Sequence, residues 1–301
     1  MKKKNIFQPK PVVTMLYLLP GIILFSFVFI FPIFFALYSG FFNFYSITNM
    51  EFVGWKHYLR IFNDKIFWTS FAHNMYLVFG CLVGQIGIAF LLANLINSRL
   101  IKIPGFYRII SFFPVTLAAI VTGFVWGMLY DYNYGLINVL LRNSGLGQYA
   151  QNWLGMNDLV MTFVNVPMIW QYVGLHLVII LAAMTSIDKE IIEVAELDGV
   201  SGFQRAVKII APMIKNTLIV CVVLCIAGNL RAFDHIYAMT GGGPGYSSMV
   251  MALYAYDISF NQMNLGYGSA LSFGILVLGL VVVLSIRKIL DYIGKEKGVE
   301  M

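Results

Sequence analysis

Six long apolar segments are the feature of this sequence that most constrains its fold. Each is about 20 residues or longer, the length that a helix needs to cross roughly 30 Å of hydrocarbon. Uniformly apolar runs without a two-residue alternation favour helices over a barrel. The sequence therefore predicts an all-α protein with six transmembrane helices, near Val13–Tyr38, Met75–Ile96, Ile109–Tyr130, Val160–Met184, Thr217–Met239 and Tyr267–Ile286.

Composition excludes an ordinary water-soluble domain. Hydrophobic residues make up 59% of the chain and charged residues only 11%, against about 25% charged residues in a typical soluble protein. The net charge of +6 comes from basic residues beside the predicted spans and gives no support to nucleic-acid binding. The basic start and the first apolar run, of about 25 residues, predict an uncleaved signal anchor.

Lysine and arginine near helix ends stay on the cytoplasmic side, so their distribution predicts orientation. With the N-terminus inside, only Lys56, Arg60, Lys65 and Arg142 lie outside, and Arg231 falls within a helix. Both termini are therefore expected in the cytoplasm. The cytoplasmic basic residues are Lys2, Lys3, Lys4, Lys10, Arg99, Lys102, Arg108, Lys189, Arg205, Lys208, Lys215, Arg287, Lys288, Lys295 and Lys297.

Three local features concern packing and the outer surface. The stretch EFVGWKHYLRIF is typical of a short amphipathic helix at the membrane surface, and Pro114 predicts a kink in the third span. Gly80, Gly84 and Gly87 predict a close helix approach within this chain's own bundle, although a partner's helix remains an alternative. The cysteines, all within spans, are expected to be small packing residues: Cys81, Cys221 and Cys225.

The segment SIDKEIIEVAELDGVSGFQRAVKIIAP, between the fourth and fifth spans, has the densest charge in the chain. Asp188 can cap a first helix, Gly199 permits a sharp exit, and a second helix runs from about Ser201 toward Pro212. The pattern predicts a helical hairpin with one apolar edge, although an ordinary solvated loop is the simpler alternative. In the first helix, apolar Ile191, Ile192, Ala195 and Leu197 alternate with acidic Glu190, Glu193, Glu196 and Asp198.

This hairpin resembles the coupling (EAA) loop of ABC importer permeases, whose hallmark is a Glu-Ala-Ala triplet, a glycine four residues later, then Ile and Leu-Pro. The departures at Val194 and Ala211 keep an apolar residue, so a docking helix remains the expectation. The residues implied in coupling are Glu193, Val194, Ala195, Asp198, Gly199, Ile209 and Pro212.

A second motif, in FDHIYAMTGGGPGYSS after the fifth span, extends the resemblance to maltose-type sugar permeases, in particular the MalF-like subunit. The stretches FVGWKHY, YGLINVLL and IWQYVGLHLVIILAAM also resemble corresponding stretches of that family. The resemblance extends from about Phe25 to Ile286. The outer loop lacks the inserted domain of the maltose subunit. The motif residues are Thr240, Gly241, Gly242, Gly243 and Pro244.

The resemblance implies a type I importer permease (MetI-like) fold in the bacterial cytoplasmic membrane. Its implied divisions are residues 1–70, a core of residues 71–288 with the coupling loop at 185–215, and a tail of residues 289–301. The implied partners are a second permease subunit forming a heterodimer, two ATP-binding subunits carrying Mg-ATP, and an extracytoplasmic sugar-binding protein. The implied cargo is a sugar, and an oligosaccharide first of all.

Catalytic and cofactor signatures are absent from the sequence. It contains no G-x-x-x-x-G-K-[ST] phosphate loop, H-E-x-x-H, Cys-x-x-Cys or G-x-S-x-G, and His57, His73, His176 and His235 have no metal-ligand spacing. His176, inside an apolar helix, is expected to be a hydrogen-bonded structural histidine. The chain is therefore predicted not to be an enzyme and to hold no metal or cofactor, with ATP handled by partners.

Polar residues within the spans are candidates for a solute pathway, because charges are expensive in lipid and should face a cavity or partner. The spacing of Arg231 and Asp234 also allows a local ion pair. Stabilisation of an interface between two permease subunits remains an equally open interpretation. The candidates are Asn229, Arg231, Asp234, Trp170, Gln171 and Tyr172, whose amide, charged and aromatic groups suit sugar hydroxyls and ring faces.

Other functions remain open at this point. The cargo could be a glycerol phosphodiester or another polyol. An ion-coupled secondary transporter would show repeats and paired midplane carboxylates, of which only Asp234 offers anything similar. A membrane-embedded enzyme would need catalytic residues converging from several spans, and none stands out.

Overall fold

The computed structural model describes residues 11–46, 49–98 and 101–296, without the side chains of residues 11, 45, 46, 49, 189 and 290–296. The basic residues Lys2, Lys3, Lys4, Lys10, Arg99 and Lys297, used to predict orientation, lie outside the described residues. Internal contacts divide the chain into two compact units. The first contains Ala255–Leu276 and the described residues up to Asn63, and the second contains Asp64–Tyr254 and the described residues from Val277.

The first unit begins with an apolar helix that contains a π-helical turn and continues into a hairpin. Its elements are α1 (Pro11–Phe25), a π-helical turn (Ser26–Ile30), α2 (Phe31–Ser39), the antiparallel strands β1 (Phe42–Ser46) and β2 (Asn49–Phe52), and α3 (Lys56–Asn63). The small hairpin was not predicted, whereas α3 is the amphipathic helix expected from the sequence. On α3, His57 and Ile61 are buried, and burial together with the Arg60 charge lowers the pKa of His57.

The second unit is built from helices, several of them broken. Their bounds are α4 (Lys65–Cys81), α5 (Ile88–Ile96), α6 (Pro104–Phe112), α7 (Ala119–Leu129), α8 (Leu136–Asn143), α9 (Val160–Met184), α10 (Lys189–Leu197), α11 (Gly202–Arg205), α12 (Ala211–Met213), α13 (Lys215–Leu230) and α14 (Asp234–Met239). A π-helical turn, Leu82–Gly87, joins α4 to α5. Two further helices, α15 (Met251–Tyr256) and α16 (Leu265–Glu296), belong in part to each unit.

Four helical stretches among the described residues are long and apolar enough to cross a membrane: Val12–Ser39, Lys65–Ile96, Val160–Met184 and Leu265–Ile289. Two bent pairs bring the number to six if each pair counts as one span: Pro104–Thr116 with Ala119–Leu129, and Gly202–Met213 with Lys215–Leu230. The predicted all-α membrane fold is confirmed in its class, and the small β-hairpin is an addition to it.

The third span was predicted as one continuous helix, and this prediction was wrong. A 3₁₀ turn containing Pro114 ends the first helix, and the backbone is extended at Leu117 and Ala118 before α7 begins. The two pieces meet at an angle of 98°. Proline removes a backbone donor and crowds the preceding turn, but the sharp change of direction lies three to four residues beyond it.

The fifth span also differs from its prediction. Helix α13 ends at Leu230, and Arg231 has left the helical region with φ −103° and ψ 15°. A separate short helix begins at Asp234. The predicted helix Thr217–Met239 is therefore interrupted in the middle of its polar segment.

Helix α9 packs against several other helices of the second unit and forms much of its core. A Cβ at Gly80 would meet Asn165 of α9, and one at Gly84 would meet Ile169, so the predicted close approach within this bundle is confirmed at these two glycines. The prediction was wrong for Gly87, where a Cβ would have no atom of the described residues within 4 Å. The cysteines are buried and free, as expected of packing residues: Cys81, Cys221 and Cys225.

Candidate functional site

The hairpin predicted between the fourth and fifth spans is present, and local hydrogen bonds define it. The Asp188 carboxylate accepts from the amide of Glu190 at 3.1 Å and caps α10. Gly199 has φ +72°, in the left-handed region that glycine adopts without steric cost. Ser201 and Gln204 form a reciprocal capping box at the start of α11.

The hairpin has one face on the bundle and one exposed edge. Ala195 is buried, and Ile210 belongs to the apolar core that includes Leu177 and Ile180 of α9. An ion pair between Glu196 and Arg205 joins α10 to α11. The hairpin is thereby anchored to the helices that line the core.

The predicted apolar face of α10 was wrong at two residues, of which Ile191 is 41% exposed. Leu197, expected on the same face as Ala195, is 87% exposed. Val194 and Phe203 are also exposed, at 56% and 71%, so the hairpin presents an apolar edge away from its own bundle. Of the other residues implied in coupling, Ile209 is half-buried, and Glu193, Asp198 and Pro212 are exposed.

A pocket of about 400 Å³ lies where the fifth span is interrupted. We call it the polar pocket. Helices α9, α13 and α14, the break between α13 and α14, and single residues of α7 and of the turn after α4 contribute to it. Its lining residues with polar side chains or rings are Gln85, Tyr172, His176, Asn229, Arg231, Asp234 and His235.

Gln171 makes hydrogen bonds to both broken spans beside this pocket. Its Nε2 donates to the carbonyl of Leu117, at the bend of the third span, at 2.8 Å. Its Oε1 lies 2.6 Å from Nε2 of His235 in α14, and the Tyr172 ring contacts the His235 ring edge-on with centroids 6.2 Å apart. One buried amide therefore connects α9 to the two interruptions.

Asn74 of α4 holds the end of α13 in a similar way. Its Nδ2 donates to the carbonyl of Asn229 at 2.9 Å, and its Oδ1 accepts from the amide of Met251 at 3.0 Å. The Asn229 side chain donates to the Cys225 carbonyl at 2.8 Å within its own helix. The backbone carbonyl at the interruption thus gains a hydrogen-bond partner from a helix that is distant in sequence.

The six pathway candidates do not all meet at the polar pocket. Asn229, Arg231, Asp234 and Tyr172 line it, and Gln171 contacts it through His235. Trp170 points elsewhere, with its ring edge-on to Trp126 at a centroid distance of 5.8 Å. Consecutive residues of a helix face directions about 100° apart, so three adjacent candidates could not share one face.

The suggested ion pair between Arg231 and Asp234 is not present among the described residues. The Arg231 Nε instead donates to the carbonyl of Ala227 at 3.2 Å. Both side chains are exposed at the polar pocket. Because α13 ends at Leu230 and α14 begins only at Asp234, the helical three-residue spacing assumed from the sequence does not apply.

The prediction for His176 was also wrong. The side chain is 2% exposed, and its Nδ1 has no hydrogen-bond partner within the described part of the chain. A buried polar atom without a partner costs about 1–3 kcal/mol. The position of a histidine inside an apolar helix therefore did not predict whether the bundle would supply a hydrogen-bond partner for its ring.

The glycine-rich motif forms a tight turn, which was the structural role expected for it. Gly241 and Gly242 have φ +59° and +90°, and Ser248 Oγ donates to the Gly243 carbonyl at 2.6 Å and lies 2.8 Å from Thr240 Oγ1. These contacts close the turn on itself.

Sequence reasoning missed Asn74 and Gln85 as residues of the site region. Both are buried polar side chains inside long apolar helices, and such residues generally face a bundle interior. That signal was available in the sequence. Which interior feature each residue would contact depended on the breaks in other helices.

Comparison with known proteins agrees with this architecture. Residues 85–293 match the family described as binding-protein-dependent transport system inner membrane component. The chain belongs to this family. The permease is therefore a membrane component of a transport system rather than an enzyme, as the sequence predicted.

Similar proteins cover nearly the whole permease. A probable ABC transporter permease protein of Pyrococcus horikoshii is 32% identical over 270 residues, covering 89% of this chain and 92% of its own. The trehalose/maltose transport system permease protein of Thermococcus litoralis is 33% identical and covers 83% and 82%. A chain in the crystal structure of a bacterial ABC transporter for import of the polysaccharide alginate has TM-score 0.79 at 22% identity, covering 94% and 96%, which shows a shared fold.

Proposed function

We propose that this permease is one of two similar membrane subunits of an ATP-driven importer that moves a sugar, first of all an oligosaccharide, across the bacterial cytoplasmic membrane. Both termini and the hairpin lie in the cytoplasm, as the distribution of basic residues favours. The Thr240–Pro244 turn lies on the outer side. An extracytoplasmic binding protein delivers the sugar, and two partner subunits bind Mg-ATP.

The observation that carries this proposal is the polar pocket at the interrupted fifth span. Its volume, about 400 Å³, falls within the range of small-molecule sites, roughly 300–1,000 Å³. Asn229 and Asp234 offer hydrogen bonds to hydroxyl groups, and the half-buried Tyr172 ring offers an apolar face. The trehalose/maltose permease among the similar proteins supports a sugar as cargo.

A second class of cargo is favoured by one observation. The guanidinium group of Arg231 is exposed at the polar pocket, and arginine is suited to binding phosphate oxygens. A glycerol phosphodiester is therefore the alternative cargo. Asp234 at the same pocket opposes an anion and favours a neutral sugar.

The cargo is tested in proteoliposomes containing the permease, its partner permease, both ATPase subunits and the binding protein. We expect ATP-dependent uptake of at least one of maltose, trehalose and lactose, and not of glycerophosphocholine. Asp234→Ala should reduce sugar uptake roughly 10-fold or more, because it removes a charged hydrogen-bond partner. Asp158→Ala, which changes an exposed carboxylate outside the polar pocket, is the control and should transport normally. Uptake of glycerophosphocholine without uptake of any of the three sugars would show that the cargo is a glycerol phosphodiester and not a sugar.

The hairpin is proposed to couple ATP binding to movement of the bundle. Its exposed apolar edge, formed by Val194, Leu197 and Phe203, fits a docking surface on an ATPase subunit. Glu193 and Asp198 place negative charge on the same helix. Because Ile210 anchors the hairpin in the core around α9, a push on this edge is transmitted to the helix that lines the polar pocket.

Gly199→Val should reduce sugar-stimulated ATP hydrolysis roughly 10-fold, because a β-branched residue strains the left-handed backbone at φ +72° and redirects the exposed edge. Gly202→Val provides a matched control, since its φ is not left-handed and its Cβ would lie more than 4 Å from the atoms that the structure describes around it. Stimulation should be retained in that variant. Equal stimulation in both variants would argue against the hairpin as the coupling element.

A further inference from the structure

We infer that helix α3 binds an anionic phospholipid at the outer face of the membrane. This inference goes beyond sugar import and uses an amphipathic helix that neither the polar pocket nor the hairpin after α9 requires. The binding surface, which we call the α3 surface, has two stripes of exposed side chains along α3 and the residue before it. Its basic stripe is Lys56 and Arg60, and its apolar stripe is Trp55, Leu59 and Phe62.

Contacts within the first unit hold α3 beside the ends of two membrane spans. Tyr58 Oη donates to the carbonyl of Leu37 at 2.6 Å, two residues before the end of the first candidate span. The guanidinium carbon of Arg60 lies 4.0 Å from the ring centroid of Tyr267, the third residue of the last candidate span. Because the ends of spans lie at the boundary between hydrocarbon and headgroups, α3 lies at that boundary. On the orientation proposed above, this is the outer boundary.

One side of α3 is occupied by the chain itself. His57 and Ile61, four residues apart on one face, are both buried. The centroid of the His57 ring lies 5.8 Å from that of Tyr267, and a Cβ at Gly274 would lie 3.3 Å from Ile61 Cδ1. Both contacts are made with α16, so this side of α3 faces the protein.

The apolar stripe lies on roughly the opposite side of the helix. Leu59 and Phe62 are 62% and 71% exposed, and at about 100° per residue their shared face points about 150° away from the buried one. The carbonyl of Trp55 accepts from the amide of Leu59 at 3.0 Å, and the exposed Trp55 ring extends the stripe. Tryptophan is enriched at membrane interfaces, and an apolar helix face at this depth fits acyl chains.

The basic stripe selects the charge of the lipid. Lys56 and Arg60 lie between the buried and the apolar sides, and neither makes an ion pair within the described part of the chain. Glu51, the acidic side chain of β2, accepts instead from Asn43 Nδ2 at 3.4 Å. One basic residue near an anionic membrane surface strengthens association roughly 5-fold. A soluble anion would leave the apolar stripe in water, so both stripes together fit a phospholipid with a negative headgroup.

The test measures quenching of tryptophan fluorescence by brominated lipid. The full-length permease, assembled with its partner subunits, is placed in phosphatidylcholine vesicles in which a minority of the lipid is brominated. The brominated lipid is either phosphatidylglycerol, which is anionic, or phosphatidylcholine, which has no net charge. The quenching of Trp55 is the difference between the wild type and Trp55→Phe, and a titration with each lipid gives the ratio of the two association constants.

We expect Trp55 to be quenched and phosphatidylglycerol to associate roughly 5-fold or more tightly than phosphatidylcholine. Lys56→Gln with Arg60→Gln should reduce this ratio to about one. Added sodium chloride should lower the ratio in the wild type, because mobile ions screen exposed charges. The matched control is Lys102→Gln with Arg108→Gln, which removes one exposed lysine and one exposed arginine outside α3 and should leave the ratio unchanged.

Absence of Trp55 quenching in the assembled complex would show that a protein partner covers the α3 surface and would overturn the inference. Equal association of the two lipids, or a ratio that survives Lys56→Gln with Arg60→Gln, would also overturn it. If that variant does not assemble, the salt titration of the wild type decides, and a ratio that does not fall with salt counts against the inference. None of these readouts depends on the transported solute, so their failure leaves sugar import intact.

Discussion

Gly174→Ala should destabilise the permease by about 3 kcal/mol, because the added methyl group meets backbone atoms that cannot rotate away. A Cβ at Gly174 of α9 would overlap the carbonyl oxygen of Ser111 in α6 and lie 2.6 Å from its carbonyl carbon and 2.8 Å from Phe112 Cα. Relieving this overlap requires the two helices to separate. We expect a fall in melting temperature of roughly 10 °C and less assembled complex in detergent.

Gly87→Ala is the matched control for this change. It adds the same methyl group to a helical segment packed near α9, where no atom in the described part of the chain lies within 4 Å of the new atom. Alanine also favours helix by about 1 kcal/mol over glycine, so stability should be equal or slightly higher. Identical melting temperatures and yields for the two variants would show that α6 and α9 do not approach as closely as the structure places them.

Asn74→Leu should have the next largest effect, a loss of about 3 kcal/mol in the free energy of unfolding. The substitution removes bonds to the carbonyls of Asn229 and Leu230 and to the amide of Met251, all contacts of a side chain that is 0% exposed. Groups at helix ends lack intrahelical partners, and each buried group left unmatched costs about 1–3 kcal/mol. A single polar contact between membrane helices is commonly worth less than 1 kcal/mol, so the expected loss depends on several contacts failing together.

The measurement for Asn74→Leu is an unfolding titration of the detergent-solubilised complex with sodium dodecyl sulfate. Asn94→Leu is the matched control, because within the described residues its Nδ2 donates only to the carbonyl of Phe90, one turn earlier in the same helix. We expect that variant to lose less than about 1 kcal/mol. A similar loss in both variants would mean that Asn74 does not support the interruption of the fifth span.

The helical hairpin between α9 and α13 was predictable because the interactions that form it are local. Asp188, Gly199 and Ser201 each act on backbone within three residues of themselves, so sequence spacing alone places the caps and the turn. The same local reasoning did not predict that Leu197 is exposed. Its exposure depends on how α10 is rotated against the bundle, which a pattern of apolar and acidic residues did not determine.

The helix breaks could not be predicted from hydropathy. The third span remains apolar through Leu117, which is consistent with an unbroken helix, and the polar residues around the break in the fifth span do not by themselves end a helix. The break is stable because Gln171 and Asn74, from other helices, supply bonds to the freed backbone. A helix can end inside a bundle only where such hydrogen-bond partners exist. Tertiary packing decides which residues supply them.

By itself, the sequence determined that this protein is a helical membrane protein with a helical hairpin after its fourth span, because hydrophobic length and local capping act along the chain. Only the tertiary structure decided which polar residues share a pocket. In α9, an apolar helix with almost no preferred face, it directed Tyr172 and His176 into the pocket and Trp170 toward Trp126. That choice depends on helix rotation and close glycine contacts, which are packing properties of the whole bundle.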